Sequence, residues 1–265
     1  MKARELFDDM KKRGLSPHVR SYNILINGYC KSNLVGEAVA LFKDMRKKGL
    51  VPNTFSYNIL IDGLCKIGRT SCAQHLLDDM YYSGQPPDVF IYNTPLDSLC
   101  KAQHLDKAVA LFRELVDKGI SPDVYTCSII LNGLCKAGRL KAAKDFFQHL
   151  VMNNHLLDTW TYNIMTNGLC KEGVFDEAIS LLSKMKGDGF SPNVVSYETI
   201  VRALLTRNEN EQAKRLLREM ISQGLLGRGN KDFESVEAIL ERSFSLLKGQ
   251  NVSSDVKILI FHVLR

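Results

Sequence analysis

One period runs through most of the chain. Five Cys-Lys pairs (Cys30-Lys31, Cys65-Lys66, Cys100-Lys101, Cys135-Lys136 and Cys170-Lys171) stand 35 residues apart. Alanine keeps the same interval at Ala3, Ala38, Ala73, Ala108, Ala143, Ala178 and Ala213. Glycine follows at Gly14, Gly49, Gly84, Gly119, Gly189 and Gly224, with Asn154 in the one gap. Asparagine is the residue that best replaces glycine at a left-handed helix end. Proline trails glycine by three at Pro17, Pro52, Pro87, Pro122 and Pro192. A fixed period of this length specifies stacked supersecondary units rather than one globular core.

Each unit reads as a helix–turn–helix. In residues 19–53, Tyr22, Leu25, Ile26 and Tyr29 recur at i, i+3, i+4 and i+7, one face of a helix, with Ser21 placed to cap it. After a break at Ser32-Asn33, Ala38, Leu41, Phe42 and Met45 repeat that spacing in a second helix. Gly49 ends the second helix and Pro52 keeps it from continuing. Neither helix can bury its apolar stripe alone, so neighbouring units supply the core. A small residue at Gly28, Gly63, Ser98, Gly133 and Gly168 lets the paired helices of a unit approach closely. Six repeats fit: 19–53, 54–88, 89–123, 124–158, 159–193 and 194–228. Residues 1–18 match the second half of a repeat. Residues 229–265 do not match; an amphipathic stretch from Phe233 to Leu247 and an apolar one from Val256 to Leu264 suggest a C-terminal helical cap. The expected fold class is all-α, a right-handed superhelical α-solenoid.

Composition narrows the chemistry. Lysine and arginine outnumber aspartate and glutamate 35 to 29, a net charge of +6 that permits polyanion binding without requiring it. The seven cysteines are an odd number and include no Cys-x-x-Cys, and no histidine pair has ligand spacing. A disulfide framework and a zinc site are therefore not expected, and free thiols fit a reducing compartment. No catalytic constellation stands out, so the reading is of a non-enzyme with no metal or other cofactor and no small-molecule substrate. No run of about 18 apolar residues predicts a membrane span. The start, Met1-Lys2-Ala3-Arg4-Glu5-Leu6, has the form of neither a signal peptide nor a transit peptide.

The other face of the first helices is polar and equally periodic. Asn23, Asn27 and Lys31 are four apart and share one face. Asn58-Asp62-Lys66, Asn93-Asp97-Lys101, Ser128-Asn132-Lys136 and Asn163-Asn167-Lys171 repeat the stripe. Asparagine near a helix start and lysine near its end also suit capping and the helix dipole. Five copies in register go beyond what a solvated face needs, and fit a base edge at one end and a phosphate at the other. Aromatic residues precede the stripe at Phe55, Phe90, Tyr125 and Trp160. They suit either a hydrophobic staple or a platform on which bases stack. The periodic cysteines lie beside the apolar stripe and read as buried packing residues; Cys72 and Cys127 have no periodic counterparts.

Two segments carry a family resemblance: Ser21-Tyr22-Asn23-Ile24-Leu25-Ile26-Asn27-Gly28-Tyr29-Cys30-Lys31 and Ser56-Tyr57-Asn58-Ile59-Leu60-Ile61-Asp62-Gly63-Leu64-Cys65-Lys66. With the closing Gly49-Leu50-Val51-Pro52-Asn53, they resemble pentatricopeptide repeat proteins of the P class, most closely the plant restorer-of-fertility-like group, over residues 1–228. The resemblance implies single-stranded RNA as partner, one base read per repeat by its fifth and last residues. Those pairs are Asn23 with Asn53, Asn58 with Asp88, Asn93 with Asp123, Ser128 with Asp158, and Asn163 with Asn193. The family's usual correspondence then gives 5′-CUUGC-3′, with C or U at the first and last positions. The second residue of each repeat would sandwich bases: Arg20, Phe55, Phe90, Tyr125, Trp160 and Val195. Lys31, Lys66, Lys101, Lys136 and Lys171 would meet phosphate.

Departures from the pattern mark weak points. The sixth repeat has Glu198 and Arg228 at the reading positions and Thr206 in place of lysine, so it is expected to be structural. The fourth has Cys127 for tyrosine and Leu157 for proline. In the third, Pro95 interrupts the first helix near Asn93, and Ile91 cannot cap it. The resemblance further implies a mitochondrial or plastid protein of RNA processing, transcript stability or translation, with other RNA-processing proteins as partners. Since family members usually carry more repeats, a truncated member is expected. Two other readings stay open: a scaffold whose repeats bind protein, and a decayed repeat fragment.

Overall fold

The structure is a computed structural model that describes residues 2–152 and 157–225. The expected cap at 229–265, with Asn154 and Arg228, lies outside the described residues. Among these residues all regular structure is helical. Helix α1 (Lys2–Lys12) precedes six helix pairs. They are α2 (Val19–Lys31) with α3 (Val35–Lys47), α4 (Thr54–Lys66) with α5 (Thr70–Tyr82), and α6 (Val89–Lys101) with α7 (Leu105–Asp117). Then come α8 (Val124–Lys136) with α9 (Leu140–Met152), α10 (Thr159–Lys171) with α11 (Phe175–Gly187), and α12 (Val194–Thr206) with α13 (Asn210–Ser222).

The first helices start two residues before the serine that the pattern suggested as a cap. His18 caps α2, its Nδ1 accepting the Ser21 backbone N–H at 3.2 Å. Ser21 is the third helical residue. Ile91 holds the same third place in α6 and does not leave that helix uncapped, because Asp88 Oδ1 accepts its backbone N–H at 3.0 Å. Pro95 is accommodated inside α6, at the loss of one backbone hydrogen bond. The second helices α3, α5, α7, α11 and α13 end in a left-handed residue, as at Gly49 (φ 75°). There the Leu50 N–H reaches back to the Met45 carbonyl at 3.2 Å, as in a Schellman closure.

The chain divides into two compact bodies, Met1–Gly133 and Leu134–Arg265. In the first, α2 packs on its own partner α3 and on the next first helix, α4; α4 packs likewise on α5 and α6. First helices thus form one layer and second helices the other. In the second body α10 packs on α9, α11 and α12, and α12 on α13. The apolar stripes meet between the layers, where Ile26, Ala38, Met45, Leu60 and Leu77 are fully buried in the first body and Ala178, Leu204 and Ala213 in the second.

Cys30, Cys100 and Cys135 pack between successive first helices, not within a unit. A Cβ built on Gly63 of α4 would collide with Cys30 Sγ of α2. One on Gly133 would meet Cys100 Sγ at 2.7 Å, and one on Gly168 would meet Cys135 Sγ at 2.5 Å. The small position is a socket for the preceding thiol. Burial pushes Cys30 and Cys135 up to about 11, and Cys65, Cys127 and Cys170 up to about 12. Such thiols stay protonated near neutrality and are poor nucleophiles.

Candidate nucleic-acid interface

The last residue of each of the first five repeats caps the next first helix. Asn53 Oδ1 accepts the Ser56 backbone N–H at 3.0 Å and the Ser56 hydroxyl at 2.9 Å. Asp123 Oδ1 accepts the Thr126 N–H at 2.7 Å, Asp158 Oδ1 the Thr161 N–H at 2.7 Å, and Asn193 Oδ1 the Ser196 N–H at 3.1 Å. Such a cap contributes about 1 kcal/mol to the helix. It also fixes the side chain, whose Oδ1 is tied to the helix. The candidate residues Asn53, Asp88, Asp123, Asp158 and Asn193 therefore have a structural duty alongside any reading duty.

The fifth residues lie against these caps. Asn23, Asn93, Ser128 and Asn163 are buried and Asn58 is half-buried. Asn23 Nδ2 points to Asn53 Oδ1 at 3.4 Å. Asn93 reaches Asp123 through Thr126, whose Oγ1 is 2.8 Å from Asn93 Oδ1 and 2.7 Å from Asp123 Oδ1. Asn58 has no such link; its Oδ1 accepts the Thr94 hydroxyl at 3.3 Å. Among the described residues, the Oδ1 atoms of Asn23 and Asn163 are buried without a hydrogen-bond partner. An unpaired buried acceptor costs about 1–3 kcal/mol.

The aromatic residues are not staples. Phe55, Phe90, Tyr125 and Trp160 are 58%, 63%, 59% and 59% exposed, whereas a staple would bury its ring. In the first body they wall two clefts. One lies between Arg20 and Phe55, with Asn23 and Asn53 lining it. The other lies between Phe90 and Tyr125, with Asn93, Asp97, Lys101 and Lys66 along it. Each cleft thus brings together a reading residue and two successive platform residues. Val195, 47% exposed, takes the platform place in the sixth repeat.

The lysines fall into two groups. Lys66 Nζ binds Asp62 Oδ2 at 2.6 Å, and Lys101 Nζ binds Asp97 Oδ2 at 2.5 Å, both one helical turn apart. Lys31, Lys136 and Lys171 have Asn27, Asn132 and Asn167 one turn earlier, are exposed, and make no ion pair among the described residues. In the sixth repeat the Glu198 carboxylate is mostly buried and held by Arg202 at 2.7 Å. Burial raises its pKa, against the opposing pull of Arg202.

The periodic pattern marked the third residue of the first helices as a cap, whereas its hydroxyl is a partner of the cap. Ser56, Thr126, Thr161 and Ser196 put a buried hydroxyl beside the cap. The signal was present as Asn/Asp-x-x-Ser/Thr, in Asn53-x-x-Ser56 and Asp123-x-x-Thr126, a spacing that serves helix N-termini. Among the described residues, no group of three or more His, Cys, Asp or Glu side chains could hold a metal ion.

Known proteins resemble this chain in sequence pattern and in fold. A model described as the PPR repeat family matches residues 1–31, 17–66, 52–94, 87–136, 129–171 and 158–206, and a second, PPR repeat, matches 195–225. The comparison with curated proteins found no match. Among solved structures, the pentatricopeptide repeat protein PPR10 from maize is similar at 22% identity and a TM-score of 0.69, over 98% of this chain and 38% of that one. The same protein in complex with an 18-nt psaJ RNA element is similar at 23% identity and a TM-score of 0.57, over 94% of this chain and 42% of that one. The chain therefore spans about two fifths of the length of these structures.

Proposed function

Since the chain belongs to the pentatricopeptide repeat family, we propose that it binds single-stranded RNA, one base to a repeat, along its first helices. The observation that carries this reading is the cleft between Arg20 and Phe55, lined by Asn23 and Asn53. A base held there would stack on exposed side chains and turn its edge toward the amides of Asn23 and Asn53. The RNA held by the similar maize protein supports the same class of ligand. Stacking is worth about 1–3 kcal/mol per base by alanine substitution, so five reading repeats suit a short, salt-sensitive footprint.

The finer reading takes Asn23 with Asn53, Asn58 with Asp88, Asn93 with Asp123, Ser128 with Asp158 and Asn163 with Asn193 as the base-facing pairs, for 5′-CUUGC-3′ with C or U at either end. The lysines at the ends of the first helices would follow the phosphates. The sixth repeat, with Glu198 already bound to Arg202, would close the fold without reading. We place the protein in a mitochondrion or plastid, acting on transcript processing, stability or translation in company with other RNA-processing proteins, with fertility restoration as one such role.

The test is a titration of the full chain with an RNA carrying CUUGC, with an RNA carrying its complement, and with the DNA version of CUUGC, each at two salt concentrations. The expected result is tightest binding to the CUUGC RNA, weakening as salt rises. Equal affinity for all three would remove the base code, and absence of binding would remove the RNA reading.

A further inference from the structure

The second and third repeats carry the same reading pair, Asn with Asp, yet the structure builds the two sites differently. In the third, the hydroxyl of Thr126 lies within hydrogen-bond distance of both members, Asn93 Oδ1 at 2.8 Å and Asp123 Oδ1 at 2.7 Å. Thr126 is fully buried. In the second, the equivalent residue beside Asp88 is Ile91, also fully buried, which has no group to offer. Asn58 is correspondingly more exposed than Asn93 and turns to Thr94 instead.

We infer that Thr126 is a specificity-determining positioning residue, so that the base facing Asn93 and Asp123 is read more strictly than the base facing Asn58 and Asp88. The inference rests on the RNA reading above and goes beyond its two-residue pairs. A side-chain amide offers a donor on one side and an acceptor on the other, and rotation by half a turn exchanges them. The Thr126 hydroxyl has one proton, and when Asn93 Oδ1 accepts it, the amide N–H is left for the base edge, so the amide presents one polarity. Beside the second oxygen of Asp123, an acceptor, an outward amide N–H would complement the adjacent carbonyl and N3–H of uracil. An outward amide oxygen would instead make two adjacent acceptors, which suit the N1–H and N2–H of guanine. An amide free to turn accommodates both, so a pair without the hydroxyl loses base ratio more than total affinity. The Asp123 cap on the Thr126 backbone N–H does not need the hydroxyl, which separates the positioning role from the capping role.

The experiment measures the affinity of the full chain for RNAs in which the second or the third base of CUUGC is each of the four bases. The unsubstituted protein is expected to show a base ratio at the third position higher than at the second by roughly fivefold, the worth of one ordered hydrogen bond. Thr126→Val should bring the third-position ratio down to that of the second. Thr126→Ser should keep it, and Ile91→Thr should raise the second. Helical content and the thermal midpoint are followed for each variant, and the comparison of the two positions in the unsubstituted chain needs no variant. Equal ratios at the two positions, or a third-position ratio indifferent to Thr126→Val, would overturn the inference while leaving RNA binding in place. No binding to any of these RNAs would remove the reading beneath it and the inference with it.

Discussion

At the scale of single residues, the buried tyrosines show how much polar chemistry an apolar stripe can hide. Tyr22, Tyr57, Tyr92, Tyr162 and Tyr197 are fully buried or within 1% of it, and each hydroxyl finds a partner on or just beyond the second helix. Tyr22 donates to Asp44 at 2.7 Å, Tyr57 to Asp79 at 3.1 Å, and Tyr197 to Glu219 at 2.7 Å, each 22 residues on. Tyr92 pairs in the same way with Glu114. In the fifth repeat, where Lys184 takes the acid's place, Tyr162 bonds to Asp188 instead. In the fourth, Cys127 replaces the tyrosine and His149 stands where the acid would be. This covariation within one chain was legible in the sequence, but tyrosine at helical spacing reads first as core, and its hydroxyl is invisible to periodicity. Burial raises the pKa of all five tyrosines, as it does for the buried thiols. Groups whose folded pKa is raised contribute stability that is full below the unfolded value and is lost as pH climbs toward the folded one. Unfolded thiols titrate near pH 8.5 and tyrosines near 10. Under reducing conditions, the urea midpoint should therefore fall from about pH 8.5 and more steeply above about pH 10, each tyrosine adding at most about 1.4 kcal/mol per pH unit. A midpoint flat from pH 7 to 11 would contradict the buried-tyrosine account.

At the scale of the helix, the chain carries its own control for the Cys–Gly contact. Gly28 has nothing within 4 Å of a built Cβ, whereas one on Gly63 runs into Cys30 Sγ and lies 2.9 Å from the Cys30 Cβ. The two glycines hold equivalent places in α2 and α4, and the repeat pattern weights them equally as close-approach positions. What the period cannot show is which helix lies across the socket, because that depends on stacking between repeats. Gly28→Ala should stabilise the protein by up to about 1 kcal/mol, the helix propensity gained. Gly63→Ala should destabilise it by about 1–3 kcal/mol, because the added methyl overpacks a filled site. Cys30→Ala in the Gly63→Ala background should recover part of the loss. Equal effects at Gly28 and Gly63 in denaturant titrations would show that the thiol does not fill the socket. Helix extents were legible to within a few residues, whereas the cap at His18 was not, since a ring nitrogen seldom serves there and Ser21 offered the commoner choice.

At the scale of the whole chain, charge decides how the proposed RNA complex should respond to salt. The sequence shows five lysines in register and treats them as equals. Only the folded side chains show that Lys66 and Lys101 already hold Asp62 and Asp97. Exposed pairs of this kind are worth about 0.3–0.5 kcal/mol, so phosphate can displace the carboxylate, but the aspartate remains beside the strand and offsets the charge. Binding to single strands weakens with salt at a slope of about −0.7 per phosphate neutralised. Five effective lysines would give a slope of about −3.5 in log K against log salt, and three a slope of about −2. The expected value is the smaller, carried by Lys31, Lys136 and Lys171. Replacing both aspartates, Asp62→Asn with Asp97→Asn, should tighten binding and move the slope toward the larger value. The Asn27, Asn132 and Asn167 repeats already have that arrangement, so the change copies a stripe the chain itself uses. A slope already at the larger value before substitution would mean that the two ion pairs open at no cost when RNA binds. A slope near zero would mean that the lysines do not meet phosphate, and the row of cations would return to its simpler duty at the helix ends.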